Sequence, residues 1–159
     1  MIKTKLCKHS KSPTEALRKK CVQLAKRIAR ALANYTCEYC GKKEPQVRTH
    51  GSHIYSEGVH LSMSADVDNI LCLCATHHMA AGMWNRADHW SWHNSPAEAM
   101  EWFKENYPER YETLKLRARE NKMCDLKFWQ DKWVELNNKY KGISGNWTIQ
   151  IFKGLSKNN

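Results

Sequence analysis

The sequence predicts a mainly helical α+β fold, in which a small metal-bound core lies between a basic N-terminal helix and a helical C-terminal extension. Two ligand pairs predict the core, because Cys37-x-x-Cys40 and Cys74-x-x-His77 supply four donors suited to a tetrahedral zinc ion. Apolar residues recur at helical spacing on both sides of this stretch. Ten of the 26 lysine and arginine residues fall within the first 35 positions, which makes the predicted N-terminal helix strongly basic.

Length and composition favour one domain in a reducing compartment. At 159 residues the chain can bury a sizeable core. No apolar run approaches the length of a membrane span, and the charged N-terminus lacks the apolar segment of a signal peptide. We therefore expect a cytoplasmic protein, with no membrane partner, whose seven cysteines are reduced and bind metal rather than form disulfides.

The chain divides into four predicted segments. Residues 1–12 are expected to be a flexible basic tail, and residues 13–35 a basic amphipathic helix that starts at Ser12-Pro13. Residues 36–94 hold the metal-bound core. Residues 95–159 form the helical extension.

The N-terminal helix has an apolar stripe and a basic face. The apolar stripe consists of Leu17, Cys21, Leu24, Ile28 and Leu32. Five basic side chains are expected to project away from it, namely Arg18, Lys19, Lys26, Arg27 and Arg30. We expect this face to bind the phosphate backbone of a nucleic acid. The alternative is a solvated face that only improves solubility.

Within the core, the turn Cys37-x-x-Cys40-Gly41 is predicted to form the tip of a short hairpin. A strand is predicted over residues 47–54, followed by a polar loop and by a helix that begins near Ala75.

The C-terminal extension is predicted to contain three helices and a strand. The helices cover about 96–106, 108–120 and 124–140. Gly142 to Gly145 are expected to end the third helix, and the alternation in residues 147–152 predicts a short strand.

Four residues are the predicted ligands of a structural zinc ion: Cys37, Cys40, Cys74 and His77. Cys72 competes with Cys74 for one position. We favour Cys74, because the two-residue spacer to His77 lets the chain wrap one turn around the metal. The alternative is a group of buried free thiols.

Three further residues carry a resemblance to a known family. His53, Asn69 and His78, with Asn69 five residues before the last cysteine ligand and His78 directly after the histidine ligand, resemble the HNH (His-Asn-His) endonuclease motif. The run from Asp68 to His78 is similar to that of zinc-stabilised phage HNH proteins, and among them to the NinG/Rap-type recombination nucleases. The resemblance covers about residues 36–85.

The resemblance implies a ββα-metal, treble-clef-like fold and a DNA endonuclease. His53 would be the general base that deprotonates the attacking water. Asn69 would tie down the loop and orient this imidazole through a hydrogen bond. His78 would ligate a catalytic Mg²⁺ or Mn²⁺ ion, while the zinc remains structural. A phage-encoded protein of this kind would act in the cytoplasm of the host cell.

Two positions depart from the family pattern. Ser52 stands where many members have a second metal ligand before the base, and Gly82 stands where many have another histidine. His50 is a substitute ligand only if the strand bulges at Gly51, because positions 50 and 53 of a regular strand face opposite sides. The other histidines of the central region (His60, His89 and His93) are interpreted as loop, surface or packing residues.

The expected activity is metal-dependent hydrolysis of phosphodiester bonds, by nicking or cutting duplex or branched DNA. One such module makes one cut at a time, so cleavage of both strands requires a homodimer or two successive nicks. The alternatives are a non-catalytic, zinc-dependent nucleic-acid-binding module and a zinc-stabilised interaction protein. Only the nuclease needs His53, Asn69 and His78 together.

Overall fold

The computed structural model describes residues 12–79, 91–120 and 122–155, and for residues 145–155 it describes the backbone only. Over these residues the fold is α+β and mostly helical, with one small antiparallel sheet of two strands. Its elements are α1 (Pro13–Leu32), β1 (Thr49–His53), β2 (Ile70–Cys74), α2 (Ala75–Met79), α3 (Pro96–Asn106), α4 (Pro108–Arg117) and α5 (Leu126–Leu155). Two 3₁₀ turns, Leu61–Met63 and Val67–Asn69, lie between the strands. None of the described helices combines the length and apolar character needed to cross a bilayer.

Helix α1 is a central element of the fold. It starts as predicted, with the Ser12 hydroxyl accepting a hydrogen bond from the Glu15 amide at 3.2 Å. It packs against both α5 and the sheet, so its buried face is wider than the predicted stripe. The buried residues are Cys21, Val22, Leu24, Ala25, Ile28, Ala29 and Ala31. The prediction was wrong for Leu32, which is the last helical residue and is 56% exposed.

The sheet is regular and separates two apolar clusters. Its pairing runs without offset from Thr49 opposite Cys74 to His53 opposite Ile70. On one face, Gly51 lies directly against α1, where an added Cβ would be 2.8 Å from two side-chain carbons of Lys26. On the other face, a second cluster formed with α3 and α4 includes Leu71, Leu73, Phe103 and Leu114.

The C-terminal extension contains three helices and no strand over its described residues. Helix α3 has the predicted bounds, and α4 ends at Arg117, three residues before its predicted end at 120. The predicted stop at Gly142 to Gly145 and the predicted strand at 147–152 are both wrong, because α5 continues through them to Leu155. A glycine inside a helix costs only about 1 kcal/mol, whereas a strand needs a partner strand for its backbone hydrogen bonds.

Candidate metal centre and histidine cluster

The four predicted zinc ligands converge on one point. The ligand atoms of Cys37, Cys40, Cys74 and His77 all lie within 4.8 Å of one another. The Sγ atoms of Cys40 and Cys74 are 4.0 Å apart, and Cys74 Sγ is 3.1 Å from His77 Nδ1. Tetrahedral Zn–S bonds of about 2.3 Å place two sulfurs about 3.8 Å apart, so this group could hold a structural metal such as zinc.

Local backbone geometry brings the two ligand pairs together. Gly41 adopts a positive φ of 70° and donates its amide to the Cys37 carbonyl at 2.9 Å, which closes the first turn. The Glu38 amide donates to the Cys72 carbonyl at 2.8 Å, so this turn is fixed beside β2. The second pair lies where β2 passes into α2.

The competing ligand Cys72 is not part of the group. It is fully buried and lies opposite Gly51 in the sheet. Burial raises the pKa of the Cys72 thiol to about 11. Burial and the neighbouring thiols of Cys37 and Cys74 also raise the pKa of Cys40 to about 11, so metal binding at this ligand releases a proton.

Asn69 fixes the loop between the strands. Its side chain is fully buried, and its Nδ2 donates to the carbonyls of Tyr55 at 3.0 Å and Met63 at 3.1 Å. Its Oδ1 accepts from the Tyr55 amide at 2.8 Å. One amide therefore joins the beginning and the middle of the loop to the residue that precedes β2.

His53, the predicted general base, ends β1 and is oriented by the backbone. Its Nε2 lies 2.7 Å from the Ser64 carbonyl, which can only accept, so this nitrogen carries a proton and Nδ1 is the basic atom of the neutral ring. The predicted hydrogen bond from Asn69 is not formed. Asn69 acts indirectly, because it holds the carbonyl of Met63, the residue before Ser64.

Burial lowers the pKa of His53 below its ordinary value, and the nearby charge of Lys26 contributes in the same direction. The Ser64 carbonyl and Glu57 oppose this shift. The Nδ1 atom is 3.8 Å from the Glu57 carboxylate, which is longer than a hydrogen bond.

His78 contacts His50 although the strand does not bulge. Their Nδ1 atoms are 3.1 Å apart, and the rings meet edge to face. The contact forms on a regular strand because α2 begins directly after β2 and so carries His78 over the strand end where His50 lies. Ser52, the position of the missing ligand, is buried, and its hydroxyl has no hydrogen-bond partner among the described residues.

His93 is a candidate site residue that sequence reasoning missed. It was interpreted as a loop or packing residue, but its Nε2 lies 3.1 Å from His78 Nε2. Burial, followed by the nearby His93 and His50, lowers the pKa of His78 to about 4. His60 instead packs against the ring of Tyr55, and the positions of His89 and Gly82 lie outside the described residues.

One cavity brings several of these residues together. It is lined by His53, His78 and His93, together with Lys26 from α1 and Glu57 from the loop. His53, His78 and the Lys26 side chain therefore face the same space.

The predicted nucleic-acid-binding residues differ in their surroundings. Arg18 pairs with Glu15 at 2.8 Å and Glu57 at 2.7 Å, and Arg30 pairs with Glu44 at 2.8 Å, so each of these two cations has a counter-ion within the chain. Two others also have intramolecular contacts: Lys19 pairs with Glu15 at 3.1 Å, and Arg27 lies over the ring of Tyr140. Lys26 forms no ion pair within the described part of the chain, and it borders the cavity.

Comparison with protein-family models, with curated proteins and with solved structures finds no match to this chain.

Proposed function

We propose that the protein is a metal-dependent DNA endonuclease of the HNH type, which hydrolyses phosphodiester bonds with His53 as general base. The observation that carries this proposal is the shared cavity of His53, His78 and Lys26. The order β1, β2, α2, with His53 on the strand and His78 on the helix, agrees with the ββα arrangement that the motif implies.

Each residue has a defined task in this proposal. His53 accepts a proton from the attacking water at Nδ1, because Nε2 is occupied by the Ser64 carbonyl. Asn69 holds the loop that carries this carbonyl. His78 would ligate a divalent cation, which when bound stabilises negative charge on the phosphate and the leaving oxygen.

Lys26 is the best-placed residue to contact a phosphate at the cavity. Gly51 permits α1 to approach β1 closely, and this brings Lys26 beside the histidines. The exposed Lys19, Lys20 and Arg27 extend the basic surface along α1. Because Arg18, Lys19 and Arg30 form ion pairs within the chain, we expect about three phosphate contacts from this helix. The plot of log K for DNA binding against log salt concentration should then have a slope of roughly −3.

A cleavage assay tests the function. Supercoiled, nicked, flapped and four-way DNA are incubated with the zinc-loaded protein and Mn²⁺ or Mg²⁺. We expect nicked product, with a rate that falls by about 10²–10⁴-fold in His53→Ala. His60→Ala is the matched control, because His60 contacts Tyr55 and does not line the cavity.

The outcomes separate the candidate functions. Equal cleavage by wild type and His53→Ala would refute the assignment of the base. Salt-dependent DNA binding without cleavage by any metal would identify the protein as a non-catalytic binding module. If Lys26 contacts a phosphate, Lys26→Gln should bind DNA more weakly, and its slope of log K against log salt concentration should be smaller in magnitude by about one unit. The control Lys127→Gln on α5 should show no such change.

A further inference from the structure

Three imidazoles form a continuous chain beside the sheet. His78 faces His50 through Nδ1 and His93 through Nε2, each at 3.1 Å. Two nitrogens at this distance are either joined by a hydrogen bond or bound to the same cation. Ligand bonds of about 2.1 Å place two nitrogens about 3.0 Å apart at a right angle and about 3.4 Å apart in a tetrahedron.

The two contacts differ in what surrounds them. His78 and His93 both line the cavity that contains His53 and Lys26, whereas His50 is not among the lining residues. A cation between His78 and His93 would therefore border the space proposed for the scissile phosphate. The Nδ1–H group of His78 would then donate to His50, as the second nitrogen of a metal-bound histidine usually does to a neighbouring acceptor.

The backbone fixes His93 in this position. The amides of Trp92 and His93 donate to the carbonyls of His77 at 2.8 Å and His78 at 3.3 Å, which attaches this turn to the end of α2. Trp92 is 7% exposed and packs edge to face on Phe103. The second imidazole is thus held by a buried anchor and two hydrogen bonds, although its own ring is exposed.

We propose that His78 Nε2 and His93 Nε2 together bind one transition-metal cation, and that His50 is a positioning residue for His78. Imidazole ligands favour ions such as Ni²⁺, Co²⁺ and Zn²⁺, whereas Mg²⁺ prefers oxygen. The proposal rests on the proposed function, for which His93 supplies the companion ligand that Ser52 and Gly82 do not. It also changes the expected ion, because this donor set selects against Mg²⁺.

Nickel binding tests the site without reference to activity. Protein with its Cys-His group loaded with zinc is titrated with Ni²⁺ by calorimetry, and bound zinc and nickel are counted after dialysis. We expect one nickel equivalent in addition to the zinc, with no displacement by equimolar Mg²⁺. Both His78→Ala and His93→Ala should weaken nickel binding by about tenfold or more, and His50→Ala by less than either.

Controls separate a specific loss of nickel binding from a loss of the folded structure. His60→Ala should bind nickel like the wild type. Each variant must retain its zinc and its thermal transition, and His93→Gln replaces His93→Ala if the latter does not fold. Unchanged nickel binding in the His93 variant, or a larger loss in His50→Ala than in His93→Ala, would overturn the proposed site.

The failure of the site and the failure of the function are distinguishable. If nickel binds with the expected ranking but no DNA is cleaved with any metal, the nuclease proposal fails and the site stands. If DNA is cleaved by a His53-dependent reaction while no second metal equivalent binds, the function stands and the site is refuted.

Discussion

The Nε2 atom of His53 donates a hydrogen bond to the carbonyl oxygen of Ser64 at 2.7 Å. This contact fixes both the orientation of the ring and the nitrogen that carries its proton. It also links His53 to Asn69, which holds the adjacent carbonyl of Met63. The chemistry proposed for His53 therefore depends on the conformation of the loop that supplies the Ser64 carbonyl oxygen.

The pH dependence of cleavage should report the lowered pKa of His53. Burial disfavours the imidazolium, so the neutral base persists below the ordinary value of 6.5 and activity is lost as the pH falls through the folded-state pKa. We expect the acidic limb of the pH–rate profile to have its midpoint below 6.5, at saturating metal. The same shift makes folding less favourable as the pH falls below 6.5 towards the folded-state pKa.

Protonation of the metal ligands would also produce an acidic limb, and metal concentration separates the two causes. A midpoint set by His53 stays constant when the metal concentration is raised tenfold, whereas one set by a ligand moves to lower pH. A constant midpoint at or above 6.5 would contradict the effect assigned to burial.

Replacing Asn69 should destabilise the protein. Asn69→Ala removes three hydrogen bonds and leaves backbone groups of Tyr55 and Met63 without their partner, at a cost of roughly 2–4 kcal/mol in the free energy of unfolding. Urea denaturation measures this change. The matched control is Asn106→Ala at an exposed position, which should change stability by less than about 0.5 kcal/mol. Equal effects of the two substitutions would argue against the role of Asn69 in fixing the loop.

The zinc ion should be required for stability. We expect metal analysis to find one zinc ion per chain at the Cys-His group, and Cys37→Ser to lose it together with several kcal/mol of stability. Thermal unfolding with and without a chelator provides the second measurement. Cys124→Ser serves as the control, because this half-buried thiol lies outside the metal group and donates its hydrogen bond to the Lys122 carbonyl. A folded, metal-free wild-type protein would refute the structural role of zinc.

The four residues of the candidate metal group were predictable because the spacing within each pair is local. Each pair is joined by two intervening residues, so one turn of backbone is sufficient to form each chelate. His93 gave no comparable signal. It reaches His78 through a turn that is anchored by the burial of Trp92 and by hydrogen bonds to the end of α2. Such a contact depends on tertiary packing and leaves no periodicity in the sequence.

The ion pairs of the charged face of α1 could not be predicted, for a similar reason. Helical periodicity correctly placed Cys21 and Ile28 in the core, but it contains no information about distant counter-ions. Arg18 is paired with Glu57, 39 residues away, and Arg30 with Glu44. Sequence reasoning thus identified the helix and its main apolar face. It could not show which cations remain available to bind a phosphate, because that depends on the carboxylates of the loops packed beside the helix.

Two glycines should respond to alanine substitution in opposite directions. An alanine Cβ at Gly51 would lie 2.8 Å from Lys26 Cβ and 3.1 Å from Ile70 Cγ2, so α1 must move away from the sheet. We expect Gly51→Ala to cost about 1–3 kcal/mol and to weaken DNA binding as Lys26 moves. Gly142 lies in α5 with no atom within 4 Å of an added Cβ, so Gly142→Ala should stabilise by about 0.5–1 kcal/mol.

Urea denaturation of the two glycine variants measures both effects against the same wild type. The comparison tests the packing of α1 on β1 and the continuity of α5 separately. Stabilisation by Gly51→Ala would show that α1 does not approach the strand this closely. Destabilisation by Gly142→Ala would indicate that residue 142 ends the helix, as the sequence alone had predicted.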